Sequence, residues 1–571
     1  MPDKLENYKR GNPPLPPRYR LWPLYGAGFE NLGRDGEPIE VPMPAFGPDE
    51  LLVRHDAVGL CFSDVKVIRA GAGHPRIYRD MSENPVVLGH EVTLTVVGVG
   101  ANLARQFSVG DRFIVQADIY IGGVGYAYGY EIQGGLSQYS VIDQRVLDAD
   151  DGNHLIPVEP SMGYAESALT EPWTCVNTAY RLRYRTGLKP GGTAWIIGSS
   201  ASQAEKYTLT RGFGARGHPR KVLLSAVPRE FSDWIRRRAD KLGAQVVDVA
   251  DVASPPVDEV DDIILLKPDA GLIEAVSPRV APFGILAIVS DVALERDINV
   301  DVGRVHYNRW LYVGGTGPDI SNAYADVPVR PTLKPGGRAW FVGAGGPMGQ
   351  MHVARAVQAD DGPAIIFCTA RSDRRLKVVE SLYAADAKAK GIEFVCISLK
   401  DEISYRETLE NVGNQGFDDI MVMAPDANAI SDAAKYIAPR GVMNIFAGVP
   451  RGTMAKLDLN DVVQRRVRFI GHSGLTTEDM QITLDMVQSG ALSPERLVVA
   501  IGSLRAAREG LKGVGEAVFP GKVVIYPHIS DFPQTFLSDL EDVLPSVYAK
   551  LRNGSQWTIE AEDEFLRLML P

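Results

Sequence analysis

Cysteine is scarce in this chain: four occur in 571 residues, at positions 61, 175, 368 and 396, and they are too scattered for a disulfide framework. Such usage fits a reducing compartment and excludes a structural zinc lobe built from four clustered cysteines. Long apolar runs are missing too. None reaches the roughly 18 residues of a membrane span, and the polar, proline-rich start from Met1 to Arg20 is no signal peptide. Positive charge is not in excess either: the formal net charge is -11 with both signs interleaved, which argues against a nucleic-acid partner. A cytoplasmic location with no membrane partner is expected. What remains is ordinary globular composition, 45% hydrophobic and 23% charged, in a chain long enough for several domains.

A thiol, an imidazole and two carboxylates stand close together between Gly59 and Glu91. Cys61 and Asp64 lie in Gly-Leu-Cys-Phe-Ser-Asp (59–64), His90 and Glu91 in Gly-His-Glu (89–91). Thiolate and neutral imidazole are donors that zinc prefers, and Glu91 adds a hard oxygen. Asp64 suits the carboxylate that holds a ligating histidine by its other nitrogen. The same residue types also fit a buried apolar cysteine beside a structural His–acid pair.

An internal repeat organises the middle of the chain. Leu-Lys-Pro-Gly-Gly-Thr-Ala-Trp-Ile-Ile-Gly (188–198) recurs as Leu-Lys-Pro-Gly-Gly-Arg-Ala-Trp-Phe-Val-Gly (333–343), and Ala-Pro-x-Gly (281–284) returns at 438–441. Val-Gly-Gly-Thr-Gly (313–317) comes back as Ile-Gly-His-Ser-Gly (470–474). Two α/β domains of roughly 140 residues are implied, each opening on a buried strand and a glycine turn. The second copy places Gly343, Gly345, Gly346, Pro347, Met348 and Gly349 between the apolar strand 339–342 and the helical run 352–357, a setting in which backbone and helix N-terminus bind a pyrophosphate. The first copy has Ala201 and Ala204 where the second has Gly346 and Gly349, so it is read as degenerate. The alternative is that its serines bind a different nucleotide or a regulator. After the next strand, 364–369, Arg371 and Ser372 suit a 2'-phosphate and Ala370 offers nothing to a ribose hydroxyl, which favours NADP over NAD, although Asp373 can still turn towards a ribose.

Several short β-rich runs (50–57, 92–99, 111–116, 136–142) suggest a barrel-like domain before the repeat. The prolines at 13, 14, 16 and 17 predict an extended arm wrapping a neighbour, and Leu537, Leu540, Leu544, Val547 and Leu551 predict a helical tail.

The order of the words along the chain carries a resemblance. Gly-Leu-Cys-x-Ser-Asp, Gly-His-Glu, Gly-Asp-Arg-Phe (110–113), Gly-Gly-Leu-Ser-Gln-Tyr (134–139) and Thr-Glu-Pro (170–172) together resemble the catalytic domain of the zinc-dependent medium-chain alcohol and polyol dehydrogenases. The implied fold is α/β: a GroES-like β-rich catalytic domain with its arm (1–186), a degenerate Rossmann-like doubly wound domain (187–331) and a dinucleotide-binding one (332–480). A return to the catalytic domain (481–529) and a C-terminal tail (530–571) complete it. The structural cysteine lobe of many relatives is replaced by a Gly- and Tyr-rich segment, 119–132.

The resemblance implies a catalytic Zn2+ held by Cys61, His90 and Glu91, with Glu171 at the metal directly or through water, and Cys175 in the core. It implies Ser63 as a proton relay, and Lys66 where relatives place the histidine that ends it. NAD(P) is the implied cofactor, with Ser473 among its contacts and Lys522 a candidate for the pyrophosphate. Lys66, Glu-Pro-Trp and the tyrosine run 126–130 are similar to the branch that includes the L-sorbose-1-phosphate reductases. The implied reaction is hydride transfer to or from a polyol, ketose or sugar phosphate, with Lys66, Arg76 and Arg79 as candidate phosphate anchors. A homo-oligomer is possible, and the two repeats are expected to pack on each other within the chain. Competing readings are a nucleotide-responsive scaffold with a non-catalytic zinc, and a zinc-free quinone reductase.

Overall fold

The computed structural model describes every residue except 1–3, 13, 182–184, 326–329, 413–414 and 473, so Pro13, Tyr184 and Ser473 lie outside the described residues. Two compact units are present: Met1–Val176 with Gly474–Pro571, and Asn177–Ser473. Among the described residues no helix is long and apolar enough to cross a membrane.

The first unit is built on an eight-stranded sheet. Its path runs Leu155–Pro157, Arg112–Val115, Glu91–Val99, Leu51–Gly59, Lys522–Tyr526, Val498–Ser503 and Thr535–Phe536, and Tyr139–Ile142 also pairs with Leu51–Gly59. The late segment therefore completes the early sheet: Val524 sits opposite Gly59, and Gly59 opposite Glu91. Three neighbouring strands thus bring Lys522, the Gly59–Cys61 corner and Glu91 to one edge.

Both ends of the chain depart from expectation. The arm is not extended throughout: Lys4–Lys9 is a helix with Leu5 and Tyr8 buried, and Arg18–Leu21 pairs with Ile39–Pro42. It packs on its own chain, Lys9 reaching Asp563 at 2.7 Å and Lys4 the carbonyl of Leu570 at 2.6 Å. The prolines interrupt regular structure only between these elements. The tail is not one helix either, because Pro545 divides Leu540–Val543 from Pro545–Tyr548, and the longest tail helix, Ile559–Met569, comes later.

The second unit holds both repeats. Each forms a six-stranded parallel sheet in the order 3-2-1-4-5-6, from Thr193–Ile197 to Leu311–Gly315 in the first copy and from Arg338–Val342 to Arg468–Ile470 in the second. The copies pack on each other: Ile298–Asp301 pairs antiparallel with Met454–Leu457, and one hydrophobic core runs from Trp195 to Phe469 through both.

The repeated Leu-Lys-Pro-Gly-Gly word has a structural reason. In the second copy the Asp419 carboxylate takes the Lys334 amide at 2.8 Å and Arg330 at 2.9 Å, while Asp418 takes the Lys334 ammonium at 2.6 Å and the Arg338 amide at 2.9 Å. The first copy repeats this with Asp262, Asp261, Arg185 and Lys189. Burial pushes the Asp419 carboxyl up to about 6 against the pull of Arg330. Asp419→Ala leaves that arginine and the Lys334 amide unpaired and is expected to cost about 3 kcal/mol in denaturant unfolding. Asp262→Ala is expected to lower the same transition, because the core is shared.

Candidate active site

Cys61 is the N-cap of the helix Phe62–Ala70, its sulfur accepting from the Ser63 amide at 3.5 Å while Asp64 closes the box on the Cys61 amide at 3.1 Å. The sulfur thus sits at the positive end of the helix dipole. Asp64, fully buried, also faces Nδ1 of His90 at 3.2 Å, and this leaves Nε2 for a ligand. Cys61, His90 and Glu91 converge, with one potential ligand atom from each within 4.8 Å of the others.

Glu91 Oε1 takes the buried Lys522 ammonium at 2.6 Å, and Glu91 Oε2 is buried with no hydrogen-bond partner among the described residues. A buried orphan carboxylate oxygen beside a thiol and an imidazole fits a divalent cation. Lys522 also donates to the Leu60 carbonyl at 3.2 Å. The pyrophosphate role considered for Lys522 is corrected here: its side chain is 5% exposed, and its charge is held by Glu91.

Electrostatics follow from this crowding. Burial alone lowers the His90 pKa, but the charge and hydrogen bond of Asp64 outweigh it and hold the metal-free imidazole well above its ordinary value. Burial pushes Glu171 up to about 7, His90 opposing and Glu91 reinforcing the rise. Glu171, in the first turn of the helix Thr170–Thr178, is close enough to feel both charges but is outside the convergent trio. Burial and then the Glu171 charge keep the Cys175 thiol protonated.

The remaining expected residues divide. Ser63 is half-buried beside the sulfur, while Lys66 is exposed, its ammonium 6.0 Å from the Phe62 ring centre. Arg76 pairs with Asp118, and Arg79 with Glu131 at 3.0 Å, so both phosphate candidates are already neutralised. The sequence marked Tyr130 only as part of the tyrosine run and His74 not at all, yet the Tyr130 ring lies 5.9 Å from His90 and 5.2 Å from His74. A tyrosine beside a glycine-rich hairpin carried no signal for that contact.

In the second unit, Gly343 takes φ +90° at the end of its strand, and Gly349 presses the following helix, Pro347–Gln358, against the loop, where a Cβ would lie 2.5 Å from the Gly343 carbonyl. Gly346, the N-cap, has no atom nearer than 3.8 Å to the place of a Cβ, and this leaves an open face for a phosphate. Gly345 faces Arg375 and Ala370, and Pro347 and Met348 open the helix. Ser372 caps the next helix, accepting from the Arg375 amide at 3.4 Å, and Arg371 is 81% exposed, 3.0 Å from Asp426. In the first copy no α-helix stands between that glycine, Gly198, and the next strand, Lys221–Ser225, among the described residues. Ser199 and Ser202 bond each other and nearby carbonyls, so they offer no phosphate cradle.

Residues 47–149 match the family model described as the alcohol dehydrogenase GroES-like domain. The chain is 24% identical over 541 residues to a mannitol-1-phosphate 5-dehydrogenase of Aliivibrio fischeri, covering 92% of this chain and 93% of the relative. It is 22% identical to an L-sorbose 1-phosphate reductase of Klebsiella pneumoniae, covering 91% and 92%. These likenesses agree with the resemblance to the medium-chain polyol dehydrogenases. At the level of fold, the crystal structure of 2R,3R-butanediol dehydrogenase from Bacillus subtilis superimposes with TM-score 0.50 at 14% identity, covering 89% of this chain and 99% of that one.

The raised Glu171 carboxyl has a measurable consequence without metal. A carboxyl bound more tightly to its proton when folded stabilises fully below the ordinary value of 4.5, and that stability is lost as pH rises through about 7. Metal-free Glu171→Gln is therefore expected to match wild type below pH 4 and to exceed it at pH 8, by at most about 3 kcal/mol, in thermal unfolding across pH.

Proposed function

We propose that this chain is a zinc-dependent oxidoreductase that moves a hydride between a nicotinamide dinucleotide and a secondary alcohol or ketone of a polyol, sugar or sugar phosphate. The observation that carries the reading is the convergence of Cys61, His90 and Glu91 with one Glu91 oxygen unpartnered. Three protein donors leave room for a further ligand, the pattern of a catalytic rather than a closed structural zinc, and this weighs against a scaffold. The same trio weighs against a zinc-free quinone reductase. Zinc, when bound, supplies a Lewis acid that lowers the pKa of an alcohol.

The chain's own residues do the rest. Asp64 holds the His90 ring, and Lys522 offsets the charge of Glu91 and Cys61. Glu171, with its carboxyl near neutrality, takes or returns a proton close to the trio, and Ser63 passes a proton past the sulfur. The Gly343–Gly349 loop binds the pyrophosphate of the dinucleotide, and Arg371 with Ser372 favours NADP through the 2'-phosphate.

The relatives' names support a sugar-phosphate substrate. Lys66 supports it too, because it is exposed and carries no ion pair among the described residues, unlike Arg76 and Arg79. It anchors the phosphate rather than ending a proton relay. A cytoplasmic setting fits four free cysteines.

The purified protein is expected to hold one zinc per chain by elemental analysis and to reduce ketose phosphates in preference to free ketoses. Cys61→Ala is expected to lose the metal, with kcat/KM falling by about three orders of magnitude. Lys66→Ala is expected to raise KM about tenfold for the phosphate and not for the free sugar, and Arg371→Ala to raise KM about tenfold for NADP and not for NAD. Absence of zinc, or of any polyol turnover with either dinucleotide, would overturn the reading.

A further inference from the structure

The C-terminal helix Ile559–Met569 presents Ala561, Phe565 and Leu566 to a satellite core that Trp557, just before it, also joins, and those contacts alone would seat it. Yet it also buries a carboxylate. Glu562 is 1% exposed, and removing such a group from water costs several kcal/mol unless it is bound well on arrival. Its partners belong to two different elements. The Tyr164 and Ala165 amides, the first turn of the helix Tyr164–Ala168, donate to it at 2.5 and 2.8 Å, and the Tyr526 hydroxyl donates at 2.7 Å.

Each element leads to a group beside the metal trio. The helical run begun at Tyr164 continues through Leu169, whose amide reaches the Ala165 carbonyl at 3.0 Å, into Thr170–Thr178, which puts Glu171 about two turns further on. Tyr526 and Lys522 lie on one face of the strand Lys522–Tyr526, and Lys522 is the cation that holds Glu91. A hydrogen-bonded buried carboxylate fixes its donors in direction as well as in place, which apolar packing does not.

We propose that Glu562 is a positioning residue, which ties the start of the Glu171 helix to the Lys522 strand and so sets the two charged groups that flank Cys61, His90 and Glu91. The proposal rests on the zinc reading above. Three variants test it, with zinc affinity measured by chelator competition, melting temperature, and kcat and KM. Glu562→Gln keeps the shape but has one acceptor oxygen for three donors. It is expected to bind zinc about tenfold more weakly or worse, and to lower kcat about tenfold with KM for the dinucleotide unchanged. Tyr526→Phe cuts only the strand side and is expected to weaken zinc about threefold, serving as the test if Glu562→Gln does not fold. Leu566→Ala, a buried apolar residue one turn along the same helix that leaves the carboxylate in place, is expected to lower the melting temperature and leave zinc affinity unchanged. Zinc affinity that is unchanged in both Glu562→Gln and Tyr526→Phe, or that falls with melting temperature in Leu566→Ala as well, overturns the proposal. A wild-type chain that binds no zinc is a distinct failure, which removes the metal reading itself.

Discussion

A carboxylate and an ammonium taken out of water each cost several kcal/mol, and Glu91 with Lys522 meets that cost at the edge of the first unit's sheet. The pair is possible only because the late strand Lys522–Tyr526 pairs beside Leu51–Gly59, which pairs beside Glu91–Val99. Its effect is directional. With one Glu91 oxygen engaged by Lys522, the carboxylate cannot rotate freely, and it is held within reach of Cys61 and His90. The trio is therefore prepared by an ion pair between residues 431 apart in sequence.

Much of this was legible beforehand where chemistry and chain order coincide. Cys61, His90 and Glu91 stand in short words whose spacing survives folding, and the glycine loop at 343–349 lies between a strand and a helix that are both local. What was not legible depends on distant partners. Lys522 looks like a surface residue until Glu91 is placed beside it, and Arg76 and Arg79 look free until the loops carrying Asp118 and Glu131 come round. Tyr130 reaches His90 only through the folding of a glycine-rich hairpin, which has no periodicity to read. The arm was misjudged because proline was weighed as a property of a whole segment, whereas it acts at single positions: helix Lys4–Lys9 ends before the prolines begin.

The repeat illustrates the same point from the other side. Its most visible word, Leu-Lys-Pro-Gly-Gly, is retained in both copies because its lysine and nearby amides bond an Asp-Asp pair more than 70 residues onward. The glycine turn just after it, where the two copies would bind a nucleotide, is where they differ. The bonded word is alike in the two copies, and the turn that follows it is not.

Because the two sheets share one core inside a single polypeptide, they are not bound by the symmetry of a pair of equal subunits. In a homodimer every substitution is made twice, so a partner surface cannot be adjusted without altering the working one. Here the first copy can drift while the second keeps the glycine turn that opens its helix. Cooperativity between twin sites, which equal subunits make available, is given up in exchange.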